Sequence, residues 1–217
     1  MKKKITDIKE QNKSREGKQE IKRRDFFKLL GGGIFIFVYP FDPFKLSELP
    51  AQQGRSLSKD FNAFLQINED GLVNCYTGKI EMGQGAITSL PQIMADELEV
   101  PYERVKMFMG DTDLCPFDRG TNGSQTIRTF SLSMRAAAAE AKAVLLMLAS
   151  DRLGVPVSRL TVKDGIVSDS TNPKSKVSYG ELTKGKRIEK HLDGRPDLKD
   201  FTKFRYVGKP YLHQDAR

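Results

Sequence analysis

"TGKIEMGQGAITSLPQIMADEL", residues 77–98, decides how this chain is read, because it sets a cluster of glycines between a strand-like run and a helix-like one. Upstream, "FNAFLQI" (61–67) and "LVNCYTG" (72–78) are short strand-like runs separated by Asn68-Glu69-Asp70-Gly71. Asp-Gly at that spacing predicts a hairpin, since the tight turn favours positive φ at both central positions. Downstream, Ile87, Leu90, Ile93, Met94 and Leu98 recur at helical spacing, with Asp96, Glu97 and Glu99 interspersed. Pro91 is expected in the first turns of that helix, where its missing N–H costs least. "RVKMFMGD" (104–111) alternates Val105, Met107 and Met109 on one face, as a strand does. A long helix is predicted from about Thr126 to Leu153, favoured by Ala136–Ala139 and stopped at Gly154. "RLTVKDGIVS" (159–168) reads as a second hairpin, around Asp164-Gly165. The order β-β-α-β-α-β-β implies an α+β fold, a small mixed sheet with two packed helices, the longer one Ala-rich.

Composition bounds the function. The 217 residues carry a net charge of +8, but residues 1–28 hold eleven Lys/Arg against five acids and so account for +6 of it. The rest is near neutral and shows no basic stripe with interleaved aromatics, which argues against nucleic acid as a partner. Only 38% of residues are hydrophobic and mean hydropathy is −0.48, so part of the length contributes little to a core. Cys75 and Cys115 are forty residues apart and form no CxxC pair, so the chain has no zinc-ribbon or iron–sulfur spacing. They are two buried small hydrophobes or, in an oxidising compartment, at most one disulfide. His191 and His213 lie in the polar tail without nearby ligand partners, so no metal site is expected on them.

The N-terminus carries an address. In "IKRRDFFKLLGGGIFIFVYP" (21–40) a basic segment precedes eleven residues, Leu29–Tyr39, that are apolar or glycine. That is short of the about 20 a membrane-spanning helix needs and suits a signal-peptide core. Arg23, Arg24 and Phe26 resemble the twin-arginine export signal, which implies the twin-arginine machinery as a partner, a periplasmic or exported location and a cofactor loaded before export. An amphipathic membrane-surface helix is the competing reading. No A-x-A cleavage site follows Tyr39, so an uncleaved leader would stay as an anchor. The expected organisation is a leader at 1–40, a linker at 41–60, the α+β domain at 61–169 and a poorly structured polar extension at 170–217, apart from a short helix near Tyr179–Leu182.

Two loops run into helices: Glu81-Met82-Gly83-Gln84-Gly85, and Gly120-Thr121-Asn122-Gly123-Ser124-Gln125-Thr126. Free N–H groups at a helix start attract anions, and glycine lets a ligand approach the backbone. Such a pair suits a phosphorylated, polar, planar ligand, although a Gly-x-Gly loop alone equally describes a tight strand-to-helix turn. The chain has neither GxxxxGK[ST] nor GxGxxG, so no NTPase phosphate loop and no dinucleotide fingerprint. "MGDTD" (109–113) reads as an Asx-turn or cap ahead of carboxylate chemistry.

"GKIEMGQGAITSLPQIMADELEVPYERVKMFMGDTD", then "GTNGSQT", then the Ala-rich helix and "LGVPVSRLTVKDGIV", resemble the N-terminal region of molybdenum-hydroxylase large subunits, in particular the isoquinoline 1-oxidoreductase beta-subunit type of the xanthine dehydrogenase/aldehyde oxidase family. The likeness covers roughly residues 61–168 and continues more weakly to "FTKFRYVGKPYLHQDAR". It implies part of a molybdopterin-binding domain, with the pterin commonly in its cytosine dinucleotide form. By position it implies cofactor contacts at Gly83, Gln84 and Gly85 and at Gly123, Ser124, Gln125 and Thr126. The family hydroxylates aldehydes or N-heterocycles, and a small subunit with two [2Fe–2S] clusters takes the electrons. The family's glutamate base belongs to a region beyond residue 217, so no catalytic residue is expected here, Glu81 is expected to fix its own loop, and the chain alone is expected to be inactive without the remainder of the large subunit. An exported non-enzymatic binding module, or a truncated remnant of the family, is the alternative.

Overall fold

The computed structural model describes residues 32–38, 63–118, 120–191 and 196–212. Its larger element is a five-stranded mixed sheet of β1 (Gly33–Val38), β2 (Ala63–Ile67), β3 (Val73–Thr77), β4 (Val105–Met109) and β8 (Arg187–His191), in the order β4-β3-β2-β1-β8. The expected hairpin is there: β2 and β3 pair antiparallel, closed by Gly71 at φ 77 and by the Asp70 carboxylate accepting from Leu72 N at 2.8 Å. β4 returns parallel to β3 after the helix α1 (Ala86–Leu98). The second hairpin also forms. Asp164 and Gly165, at φ 52 and 75, join β5 (Leu160–Lys163) to β6 (Ile166–Asp169) with the left-handed pair a two-residue turn requires.

Helices α1 and α2 (Ser131–Leu153) cover one face of the large sheet. Leu90, Met94 and Leu98 of α1 are fully buried, while Ile87 and Ile93 are partly so. On α2, Met134, Ala138, Ala141, Leu145 and Ala149 form the inward stripe, and the small alanines allow close packing. Alternation along the strands sends Ile34, Ile36, Leu65, Ile67, Val73 and Cys75 into this core. The opposite face carries Phe37, Phe64, Tyr76 and Phe108, in register across four strands with ring centroids 6.1, 4.4 and 4.6 Å apart. This is the α+β class read from the sequence, with α2 ending at Gly154 as expected.

Three expectations meet a different structure. Pro91 is the sixth residue of α1, in its second turn and past the four N–H groups that a helix leaves free, so it costs the helix one interior hydrogen bond. Residues 33–38, counted in sequence with the leader, form β1 inside the sheet. The tail beyond residue 170 is built: β7 (Asn172–Ser178) completes a meander β5-β6-β7, α3 (Tyr179–Thr183) follows behind a Ser178/Glu181 capping box, and β8 closes the large sheet. Segment 196–212 then straps across α1. Asp96 accepts from Arg205 N, Tyr206 N and Val207 N at 2.6–3.2 Å, and Glu97 accepts from Lys199 N at 2.7 Å. Asp96 and Glu97, interspersed among the apolar positions of α1, are thus buried anchors, each 1% exposed. Arg23, Arg24 and Phe26 lie outside the described residues, as does the linker 41–60. Among the described residues no helix is long and apolar enough to cross a membrane.

Candidate functional site

The first glycine loop leaves the end of β3 and enters α1. Its shape is set by Glu81, whose Oε1 accepts from Gly83 N (2.8 Å) and Gly85 N (3.0 Å) while Oε2 accepts from Ile87 N (2.8 Å). A carboxylate therefore already occupies the N-terminal amides of α1, where the helix dipole favours negative charge. Glu81 has the loop-fixing role expected of it. Gln84 also folds back, its Nε2 donating to Ile80 O at 2.9 Å and its Oε1 accepting from Met82 N at 2.6 Å. Gly85 is buried at φ 78 as the left-handed residue before the helix. Gly83, at φ 90, is exposed, and a Cβ built on it would meet nothing within 4 Å, so the backbone there faces open space.

The second loop lies against the first. Lys79 Nζ, beside the ring of Phe130, reaches Asp118 Oδ1 and Gly120 O, each at 2.7 Å, and Ile80 N donates to Thr121 Oγ1 at 2.8 Å. The ion pair is largely removed from water, with side chains 14% and 3% exposed. Gly123, Ser124 and Gln125 stand exposed, Gln125 N donating to Asn122 O at 3.2 Å, and Thr126 is buried. Ser124 holds φ 53, unusual for a residue with a Cβ, and the chain then makes a π-helical turn, Thr126–Phe130, before α2. Strained backbone and π turns concentrate at functional sites.

The structure thus brings the two expected loops together, joined through Thr121 of the second loop and through Lys79 and Asp118, which sequence reasoning missed. Lys79 was visible as a lone cation between strand and glycines; nothing in the sequence pointed to Asp118, 39 residues away, as its partner. Asp111 forms the expected Asx-turn, accepting from Asp113 N and Leu114 N at 2.8 and 3.0 Å. Ile80, Met82, Phe117, Ile127 and Leu132, on or beside the two loops, are 42–76% exposed. Both cysteines are free thiols, Cys75 in the core and Cys115 half-buried, and burial pushes both up from the ordinary thiol value. No group of three His, Cys, Asp or Glu side chains that could hold a metal occurs among the described residues. A cavity of about 390 Å³ lies elsewhere, lined by Glu69, Asp70, Arg104, Asp164, Glu181 and Lys184 among others, and shares no residue with either loop. Several of its charges are engaged: Asp164 with Arg205, Glu181 with Ser178, Arg104 with Asp70 O.

The mixed sheet thus presents two helix-leading loops side by side, one opening a glycine to solvent. Residues 5–214 match the family described as the molybdopterin cofactor-binding domain, and the chain belongs to that family. Over 194 residues it is 32% identical to a nicotinate dehydrogenase polypeptide of Pseudomonas putida, covering 88% of this chain and 16% of that protein. Over 128 residues it is 33% identical to the beta polypeptide of isoquinoline 1-oxidoreductase from Brevundimonas diminuta, covering 56% of this chain and 16% of that one. The solved structure of a Cu,Mo-CO dehydrogenase in its carbon monoxide reduced state aligns with a TM-score of 0.50 at 25% identity, covering 83% of this chain and 23% of that one. The chain spans 16% of the length of these two curated relatives.

Proposed function

We propose that this chain is the cofactor-binding N-terminal part of an exported molybdenum hydroxylase acting on aldehydes or N-heterocycles, and that it is inactive without the remainder of the large subunit. The observation that carries the reading is the junction of the two loops through Lys79 and Thr121, with open space above Gly83. These residues fit one edge of a pterin dinucleotide. Gly83 admits a ligand against the backbone, and Ser124 and Gln125 offer a hydroxyl and an amide from the facing loop. Glu81, committed to three amides, keeps the first loop open; Gln84 contacts the ligand only by releasing its two loop hydrogen bonds. When bound, the molybdenum–pterin group supplies the redox chemistry of hydroxylation. This chain's part is to hold and orient it, while a small subunit with two [2Fe–2S] clusters takes the electrons.

The apolar side chains around the loops support a further element of this reading, since exposed apolar patches mark surfaces made for a partner. The rest of the large subunit is the expected cover. The test is to express the full chain together with the remaining subunits in cells that make the cofactor, then measure molybdenum, oxidised-pterin fluorescence and released nucleotide. Molybdenum, pterin and cytidine monophosphate in equal amounts are expected, with Gly83→Val losing the pterin while the complex still assembles. A complex without pterin, or a Gly83→Val complex that keeps it, would withdraw the cofactor site and leave a binding module.

A further inference from the structure

Residues 33–38 carry two roles that exclude each other. In sequence they are the apolar core behind Arg23 and Arg24; in the fold they are β1, an interior strand. β1 pairs antiparallel with β2 from Ile34↔Ile67 to Val38↔Ala63, and parallel with β8 from Gly33↔Arg187 to Phe37↔His191. Ile34, Phe35 and Ile36 are 0% exposed and Phe37 is 4% exposed. The two faces are sorted: Ile34 and Ile36 enter the helix-covered core, and Phe37 extends the aromatic row of Phe64, Tyr76 and Phe108. The guanidinium of Arg187 sits 5.0 Å from the centre of the Phe35 ring.

The start of the strand is equally specified. Gly33 has φ +127, and a Cβ there would stand 2.3 Å from Ile67 O; its N–H donates to Lys186 O at 2.7 Å. A Cβ on Gly32 would stand 2.4 Å from Glu69 Oε1 and 3.1 Å from Lys186 O. A signal-peptide core requires only apolarity over a certain length. It does not require a left-handed glycine at one position, nor branched residues on one face and an aromatic on the other. Those are the requirements of a strand buried on both faces.

We infer that residues 33–38 are an integral strand of the cofactor-binding domain, so that folding withdraws the apolar core of the leader from membranes, export receptors and peptidases. Taking the segment out leaves β2 and β8 each with an unpaired edge and uncovers four apolar side chains, a cost the folded domain resists. The chain then has two states: leader available with the sheet incomplete, or sheet complete with the leader spent. The strand assignment stands on the geometry alone; only the competing export receptor rests on the reading of the previous subsection.

Hydrogen exchange with mass spectrometry on the purified full chain tests this directly. The amides of 34–38 are expected to exchange as slowly as those of 63–67 and 73–77, with or without phosphatidylcholine/phosphatidylglycerol vesicles. Fast exchange at 34–38 beside protected β2 and β3 overturns the inference, as does a change at 34–38 alone on adding vesicles. Ile36→Asp is expected to abolish cooperative unfolding or lower Tm by about 10 °C or more. The Arg23→Lys/Arg24→Lys chain should keep its Tm, and an unchanged Tm in Ile36→Asp sinks the idea. Export is scored separately, on the wild-type and double-Lys chains in cells. Equal export of both removes the twin-arginine reading and leaves the strand standing, whereas an exported chain that begins beyond residue 38 with unaltered Tm removes the strand.

Discussion

The two ends of α1 solve the same problem at opposite ranges. At its N-terminus Glu81 accepts from the amides of Gly83, Gly85 and Ile87, all within six residues. At its C-terminal turn Asp96 and Glu97 accept from amides of residues 199–207, more than a hundred positions away. Both are carboxylates meeting backbone N–H groups, a charge-assisted arrangement stronger than neutral hydrogen bonds. The first shapes a loop that stays open to solvent; the second ties down a segment with little core of its own. One kind of bond thus serves an exposed site and a buried fastening, and the environment sets its energetic weight.

The buried fastening should be the more costly to break. Asp96→Ala leaves the strap amides without their acceptor and is expected to cost about 3 kcal/mol, read by urea unfolding, with new proteolytic cleavage within 196–212. An unchanged midpoint and an uncleaved strap would show that the fastening carries no weight. Between the two extremes lies the pair that joins the loops. Lys79→Met removes the cation facing the buried Asp118, which keeps its hydrogen bond from Gly120 N, and should destabilise by about 2 kcal/mol; a double-mutant cycle with Asp118→Asn should recover most of the coupling. Additive single effects would mean that the pair does not hold the loops together. Glu81→Ala touches only the exposed end: about 1 kcal/mol is expected, with faster hydrogen exchange at 83–87 and none gained at 199–207. Acceleration at both ends would abolish the distinction between them.

Acid sharpens the same contrast. Burial pushes the Glu99 carboxyl up, but Lys142 and Lys199 more than offset it and hold it below its usual value. Hydrogen bonds from the Arg159 guanidinium, and then from Thr171 N, hold Asp169 down in the same sense. A carboxyl lowered in the folded state contributes stability that is present above its unfolded value and lost as pH falls through the folded one. Tm should therefore be flat near neutrality and fall as pH drops below 4.5, the ordinary value for Glu99. Glu99→Gln should lower Tm at pH 7 and flatten the acid limb; an unaltered pH profile would mean these pairs add nothing. The smallest effect is in the thiols, where a maleimide should modify half-buried Cys115 well before core Cys75 in the folded chain.

Much of the site was legible because its determinants are local. Glycines at a strand–helix junction, Asp-Gly turns, the Asx-turn of Asp111 and the role of Glu81 follow from residues a few positions apart, where short-range sterics and hydrogen bonds decide the conformation. Lys79 was in plain view but its partner was not, since a salt bridge across 39 residues leaves no periodic trace. The anchoring role of Asp96 and Glu97 left no trace for a related reason. Acids on a helix read as its solvated face, and only a returning segment turns them inward. The tail from residue 170 looked unstructured because β7 is polar and α3 is short, and most of their order comes from neighbours already in place.

By itself the sequence determined the α+β class, the two hairpins, both long helices and the two loops that lead into them. Periodicity and turn chemistry act over one or two turns of chain. The tertiary structure alone decided that the loops meet, that acids on α1 fasten the tail, and that the apolar run at 33–38 becomes an interior strand of a sheet. A run such as Ile34–Val38 satisfies a membrane, a receptor or a strand slot equally well in isolation. What selects the slot is the pair of open edges on β2 and β8, and these exist only once distant parts of the chain have come together.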